Sequence, residues 1–432
     1  MHFDVAQAAT DLSCPRAAPR PRPRHAPSAP DAGTSRAPDD DQAGVDPVQF
    51  AQAVVRESSR IDPDRIPGFA LDAATTASPR RIAIWGDSHV AGGTFVPTLD
   101  AVLLERGVTV GTRFLPPTMG RANVRLPTLH AYCIGPAWSS QVAFTSKDAV
   151  RVGPALLDRV ADAGADSYLW LDFRSAALRP VLRQVGIVYE ADAGAALDLA
   201  VNDAQARRVV LPAGGVLRVD NGDYLVSTLR MQVAQGHVVL HGFILDYRLA
   251  PLVVLDAFGL PSATARGWAE ADPDYLAQAL HGVDYDAVVL EYGTNEGNDL
   301  PFDRAKYEAG LGAALTHLRK VFPRASCVLV GPPDRGVPPR KRGIGDALFF
   351  GRVHRQIAAA QADVGARFGC AAWDWQDLMG GPGGSYGWAQ ATPRLMNADD
   401  LTHLTPAGYE RSARALARSL GWSVAVPAAD AR

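Results

Sequence analysis

Residues 81–89 read Arg-Ile-Ala-Ile-Trp-Gly-Asp-Ser-His, an apolar run that stops at a glycine and then presents three polar side chains. A short apolar run of this kind, closed by Gly86, reads as a strand buried on both faces, the situation of a strand inside a parallel sheet. Residues 97–106 then place Leu99, Val102 and Leu103 on one helical face, with Gly107 as the stop. The same alternation returns beyond residue 250. Val254 and Leu255 resume it, and Ala287 to Leu290 is a strand. Asp303 caps a helix carrying Tyr307, Leu311, Leu315 and Leu318. Cys327 to Val330 is another strand, Leu348, Phe349, Val353 and Ile357 mark a helix, and Ala371 to Trp375 a further strand. The last helix begins at Thr405-Pro406 and ends at Gly421. Strand–helix alternation predicts an α/β fold, a three-layer, doubly wound parallel sheet.

Between residues 135 and 250 that rhythm is lost. Gln141–Thr145, Tyr168–Phe173, Val185–Tyr189, Val209–Leu211, Val216–Val219, Tyr224–Thr228 and Val238–Leu245 are strand-like and separated by turn residues such as Asn221-Gly222-Asp223. Short strands at this spacing predict an all-β sandwich inserted into the α/β unit. The expected organisation is a disordered Pro/Arg/Ala-rich tail over 1–45, a first α/β part over 46–134, the sandwich over 135–250, a second α/β part over 251–424, and a short tail over 425–432.

Composition narrows the function classes. Of 432 residues, 47% are hydrophobic and 21% charged, values of an ordinary protein with a sizeable core. Lys plus Arg total 43 against 46 acids, a net charge of −3 that offers no field for a polyanion and argues against nucleic acid as a partner. Cys14, Cys133, Cys327 and Cys370 include no Cys-x-x-Cys pair, which argues against a disulfide scaffold and a cysteine zinc site. Cys327 and Cys370, both at strand starts, read as buried thiols. No apolar run reaches the roughly 18 residues of a membrane span. The most apolar stretch, Val238 to Leu260, is interrupted by Asp246, Arg248 and Asp256. Residues 15–30 alternate Pro with Arg and Ala and lack the apolar core of a secretory signal.

In a parallel sheet, ligands bind beyond the carboxyl ends of the strands. The runs just described deliver four polar groups there: Gly86-Asp87-Ser88-His89, Gly259-Leu260-Pro261-Ser262, Gly293-Thr294-Asn295-Glu296, and Asp400-Leu401-Thr402-His403 before the last helix. A serine hydroxyl needs a base, histidine serves near neutral pH, and a carboxylate on the second ring nitrogen fixes the tautomer. The three-residue spacing of Asp400 and His403 lets one turn supply both orienter and base. Asn295 and backbone N–H groups of Ser88 and the 259–262 loop are candidate donors to an oxyanion. The set describes acyl transfer through a serine ester, with His89 as a neighbour of the reacting groups. No metal or organic cofactor is implied, since the set supplies both proton transfer and charge stabilisation.

These four pieces, in this order, resemble the blocks of the SGNH (GDSL-type) hydrolase family. Further stretches, GDSHVAGGT (86–94), GPPDR (331–335), MGGPGGSYGW (379–388) and DLTHLTPAGY (400–409), are similar to the branch containing bacterial peptidoglycan O-acetylesterases. The resemblance covers about residues 80–130 and 250–420. It implies a flavodoxin-like sheet, Ser88 as nucleophile, Asp400 and His403 as its partners, and Asn295 with a second-block glycine as oxyanion donors. It also implies a carbohydrate-binding-like character for the β insert and a periplasmic or secreted location. The second block departs from the family pattern: Gly259 is present, but Ser262 stands where the oxyanion glycine is expected. The donor survives such a change, although its direction suffers if the position needs a positive φ. Residues 380–387 read as a flexible lid presenting Tyr386 and Trp388 to a sugar, and Trp373 and Trp375 as packing residues at strand spacing.

The expected activity is removal of O-acetyl groups from a polysaccharide, with an acetylated glycan or small acetyl ester as substrate. An O-acetyltransferase using the same residues and a non-catalytic glycan-binding protein are the alternatives, and the sequence leaves the oligomeric state open.

Overall fold

The structure, a computed structural model, describes residue 12 and residues 61–71, 79–338 and 345–422. Almost all of the two expected tails lies outside the described residues.

Strand Arg80–Gly86 shows why the sheet sits where it does. Ala83 and Trp85 face one apolar layer, whereas Ile82 and Ile84 face the other, and all four are at most 1% exposed. A strand sealed on both sides needs neighbours that run the same way with helices over each face. Those neighbours are Val253–Gly259 on one side and Ala287–Glu291 on the other, both parallel, followed outward by Ser326–Val330 and Cys370–Trp373. Numbered along the chain, these five strands lie in the order 2-1-3-4-5, the flavodoxin-like order, and the two-residue strand Val110–Gly111 extends the edge. The order reverses beside Arg80–Gly86, so the switch point lies between that strand and Ala287–Glu291.

Helices Phe95–Glu105 and Pro406–Ser419 cover the Ile82 face, the first through Leu99, Val102 and Leu103 and the second through Ala413 and Leu416. Arg304–Val321 and Phe349–Arg367 cover the Trp85 face through Leu311, Leu315, Leu318, Ile357 and Val364. Their ends follow the local chemistry: Asp303 accepts from Lys306 N, and Thr405 accepts from Gly408 N ahead of Pro406.

Two antiparallel sheets form the second architecture. One runs Arg207–Val210, Ala196–Val201, Thr228–Gln235, Tyr168–Asp172, Ala131–Ile134. The other runs Gly214–Asp220, Leu182–Ala191, His237–Tyr247, Leu157–Asp162, Ser139–Val142, with Phe114–Leu115 pairing to His237–Tyr247. A separate apolar core including Leu171, Leu197, Met231 and Phe243 lies between them. The sandwich is bonded to the parallel unit, since Trp85 Nε1 donates to the Pro154 carbonyl at 2.8 Å and Val152, Leu156 and Val188 join the Trp85 layer.

Several expectations are corrected. Cys327 and Cys370 are not thiols but a disulfide, because register pairs these residues on adjacent parallel strands with Cα atoms 4.5 Å apart. No described cysteine is free. Tyr224–Thr228 is not a strand: Tyr224 closes the turn begun at Asn221, and the strand starts at Thr228, where Leu229, Met231 and Val233 alternate inward. Strands Ala131–Ile134, Leu157–Asp162 and Ala196–Val201 were not anticipated. The last parallel strand ends at Trp373, and Trp375 opens the short helix Trp375–Leu378 that Asp374 caps. Residues 380–387 are no lid. Gly384–Gln390 is a helix, Trp388 is buried, and Tyr386 Oη donates to the Ala347 carbonyl. A buried carboxylate, Asp334, accepts from Gly383 N and Ser385 N and pins the segment.

Candidate active site

Asp87 ends the Arg80–Gly86 strand and caps the one-turn helix Ser88–Ala91, its Oδ1 accepting from His89 N at 2.8 Å. The turn leaves Ser88 partly exposed while Asp87 and His89 are fully buried. Ser88 Oγ lies 3.0 Å from His403 Nε2, although the two are 315 positions apart. His403 Nδ1 lies 2.9 Å from Asp400 Oδ2, and Asp400 Oδ1 accepts from the backbone N–H groups of Thr402 and His403. With the Nδ1–H donating to the Asp400 carboxylate, Nε2 is an acceptor for the serine hydroxyl.

Electrostatics follow this geometry. Burial pushes the Asp400 carboxyl up, but the bonds from the His403 ring and from two backbone amides outweigh it and hold Asp400 down at about 2. The Asp400 bond raises His403 above its ordinary value against the opposing effect of burial. Behind the serine, burial pushes Asp87 up to about 6. Glu291, which ends the neighbouring strand, accepts from Asp87 N at 3.1 Å, and burial and the Asp87 charge push it well above the carboxylate range. His89 is driven well below its ordinary value by burial, stays neutral, and bonds through Nδ1 to Tyr409 Oη at 3.0 Å.

The second and third blocks lie on either side. Asn295 follows the Ala287–Glu291 strand, and its Nδ2 donates to Asp87 Oδ2 (3.1 Å) and to the Ala263 carbonyl (2.9 Å). Both amide hydrogens are thus engaged within the protein. Ser262 has φ +67°, the left-handed conformation that favours glycine, in an exposed turn closed by Ala263 N to Leu260 O. Gly259 packs beneath the Ser88 helix, where a Cβ would lie 2.4 Å from Ala91 N, so it serves close approach of backbone. Glu296 joins the two loops, accepting from Ala265 N (2.8 Å) and Gly293 N (3.0 Å). Ser88, His403 and Asp400 therefore form one chain, Asn295 joins it through Asp87, and no described contact links Gly259 or Ser262 to Ser88 Oγ.

Sequence reasoning missed Glu291 and Arg335. An acid ending the otherwise apolar run Ala287–Leu290 is the signal that points to the first. Arg335 Nη1 donates to Asn298 Oδ1 at 2.8 Å, a pairing no spacing announces. Among the described residues no group of three or more His, Cys, Asp or Glu side chains is arranged to hold a metal, and no helix is long and apolar enough to cross a membrane.

The fold is a doubly wound parallel sheet with an added β sandwich, and residues 241–411 match the model of the GDSL-like Lipase/Acylhydrolase family. Among solved structures, one described as a peptidoglycan O-acetylesterase in action superposes with a TM-score of 0.65 at 20% identity, covering 84% of this chain and 98% of that one. A carbohydrate esterase family 2 enzyme plus carbohydrate-binding domain from Corynascus thermopiles (Myceliophthora fergusii) reaches a TM-score of 0.29 at 14% identity, covering 66% and 100%. A salicylyl-acyltransferase from a tetracycline biosynthetic pathway reaches 0.28 at 13% identity, covering 69% and 98%. The first of these likenesses bears on the fold, and the other two are too weak to bear on it. No curated protein matches the sequence.

Proposed function

We propose that this protein is a serine esterase that removes O-acetyl groups from a polysaccharide through an acetyl-serine intermediate. The observation that carries this reading is the unbroken chain Ser88 Oγ–His403 Nε2–Asp400 at the sheet's switch point, with steps of 3.0 and 2.9 Å. In the first half-reaction the Ser88 oxygen attacks the acetyl carbonyl carbon while its proton passes to His403 Nε2. The ester C–O bond then breaks, and His403 returns the proton to the departing sugar hydroxyl. In the second, water gives a proton to His403 and attacks the acyl carbon, and acetate leaves as Ser88 regains its proton. Asp400 holds the Nδ1–H tautomer and stabilises the imidazolium. Ser88 N–H, an Asn295 N–H released from the Ala263 carbonyl, and a backbone N–H of the Gly259–Ser262 loop are the proposed oxyanion donors.

Hydrolysis is favoured over transfer because the pair is open to water, with the His403 side chain 45% and the Asp400 side chain 39% exposed. A periplasmic or secreted location is supported by the Cys327–Cys370 disulfide, a bond that persists in oxidising compartments. The sandwich is proposed as a carbohydrate-binding module that brings the polymer to the site.

The test is acetate release from an O-acetylated glycan and from a chromogenic acetyl ester. Loss of both activities in Ser88→Ala is expected; full activity of that variant on both substrates overturns the reading.

A further inference from the structure

Arg335 is a cation in an unusual position. It is 9% exposed, yet its one hydrogen bond among the described residues goes to a neutral amide, Asn298 Oδ1, and its Nε is buried with no acceptor. The Arg335 guanidinium carbon sits over the Phe350 ring, 4.1 Å from its centroid, a cation–π contact. Asp400 is an acid whose field reaches it, but that carboxylate accepts from the His403 ring and from two backbone amides, and among the described residues no ion pair joins it to Arg335. Buried charges are ordinarily paired, and an unpaired one marks a place where a ligand supplies the counter-charge.

The location makes that ligand a substrate group. Arg335 is bonded to the loop that carries Asn295, three residues before Asn298. The adjoining Gly336 N donates to the Leu401 carbonyl at 3.0 Å, inside the turn that carries Asp400 and His403. The guanidinium therefore sits between the two loops that flank Ser88.

We propose that Arg335 is a specificity-determining residue that binds a carboxylate of the acetylated glycan close to the ester, so that the preferred substrate is an anionic polymer. The proposal rests on the esterase reading above. A planar fork held against a ring suits a carboxylate better than a hydroxyl, because two parallel N–H donors match its two oxygens.

The experiment compares acetate release from an O-acetylated polyuronate with release from the same polymer after its carboxylates are converted to methylamides. Wild-type protein is expected to prefer the charged polymer in kcat/KM by about tenfold or more, the scale of one charge-assisted contact. Arg335→Met is expected to abolish that preference, and Arg335→Lys to retain part of it, since the charge stays while the fork is lost. Equal activity of the wild type on both polymers overturns the proposal. So does an Arg335→Met variant that loses activity on both in the same proportion, which would make Arg335 a tether between loops. Hydrolysis of a chromogenic acetyl ester that depends on Ser88, with release from neither polymer, overturns the anionic-glycan assignment and leaves the esterase reading standing. Activity that survives Ser88→Ala overturns the esterase reading itself.

Discussion

Two acid–imidazole–hydroxyl chains stand out among the described residues. At the switch point, Asp400, His403 and Ser88 are linked by contacts of 2.9 and 3.0 Å. At the seam between sandwich and parallel unit, Asp158 bonds His241 Nδ1 at 2.8 Å, and His241 Nε2 meets Tyr275 Oη at 2.8 Å. The lengths barely differ. What differs is access: the His241 and Asp158 side chains are 2% and 0% exposed, against 45% and 39% for His403 and Asp400. The hydroxyls differ too, since burial pushes the Tyr275 phenol far up and Arg151 covers its ring, whereas Ser88 opens a helix at a strand end. A hydrogen-bonded relay is thus a general way to satisfy a histidine. In the esterase reading proposed above, it becomes chemistry where the hydroxyl is aliphatic and reached by solvent.

This contrast can be broken or sharpened by experiment. Ser88→Ala should lower activity on a chromogenic acetyl ester by about 10⁴-fold or more, whereas Tyr275→Phe should leave it in place; a comparable loss in both would erase the distinction. Asp400→Asn keeps the shape but favours the wrong His403 tautomer, and should reduce kcat by about 10³–10⁴-fold. His241→Phe should act on stability instead, costing about 3–5 kcal/mol in thermal or denaturant unfolding because it strands the buried Asp158 carboxyl, while activity per folded molecule persists.

The pH profile gives a smaller effect with a definite sign. His403 must be neutral to accept the Ser88 proton, and its bond to Asp400 raises it above the ordinary 6.5. Activity should therefore fall as pH drops through a midpoint above 6.5, and a kcat/KM profile flat down to pH 5 would contradict the assignment. Smallest of all, Ser262→Gly relieves a left-handed residue at φ +67° and should stabilise the protein by about 1 kcal/mol in a melting experiment.

Legibility in the sequence tracked locality. The strand end at Gly86 and the Asp303 and Thr405 caps are decided within a few residues, and each appeared where expected, whereas the strand expected to stop at Leu290 runs on to Glu291. Tyr224–Thr228 has strand-like composition but lost the strand to a turn, because the inward alternation begins only at Leu229. The glycine-rich 380–387 segment looked mobile until Asp334, about 50 positions away, supplied the acceptors for its backbone. Cys327 and Cys370 were read as thiols because nothing local couples residues 43 apart; sheet register does.

By itself the sequence determined the layered α/β plan and the polar side chains that stand at its strand ends, since hydrophobic period and capping act over a few residues. Tertiary structure alone decided which of those side chains meet. It set the Ser88–His403 contact across 315 positions, engaged the Asn295 amide with Asp87 and Ala263, buried Glu291 beside Asp87, and gave the Arg335 side chain a neutral amide as its one hydrogen-bond partner among the described residues. The reason is physical: hydrogen bonds and fields depend on distance and burial in space, and both are fixed only when remote segments pack.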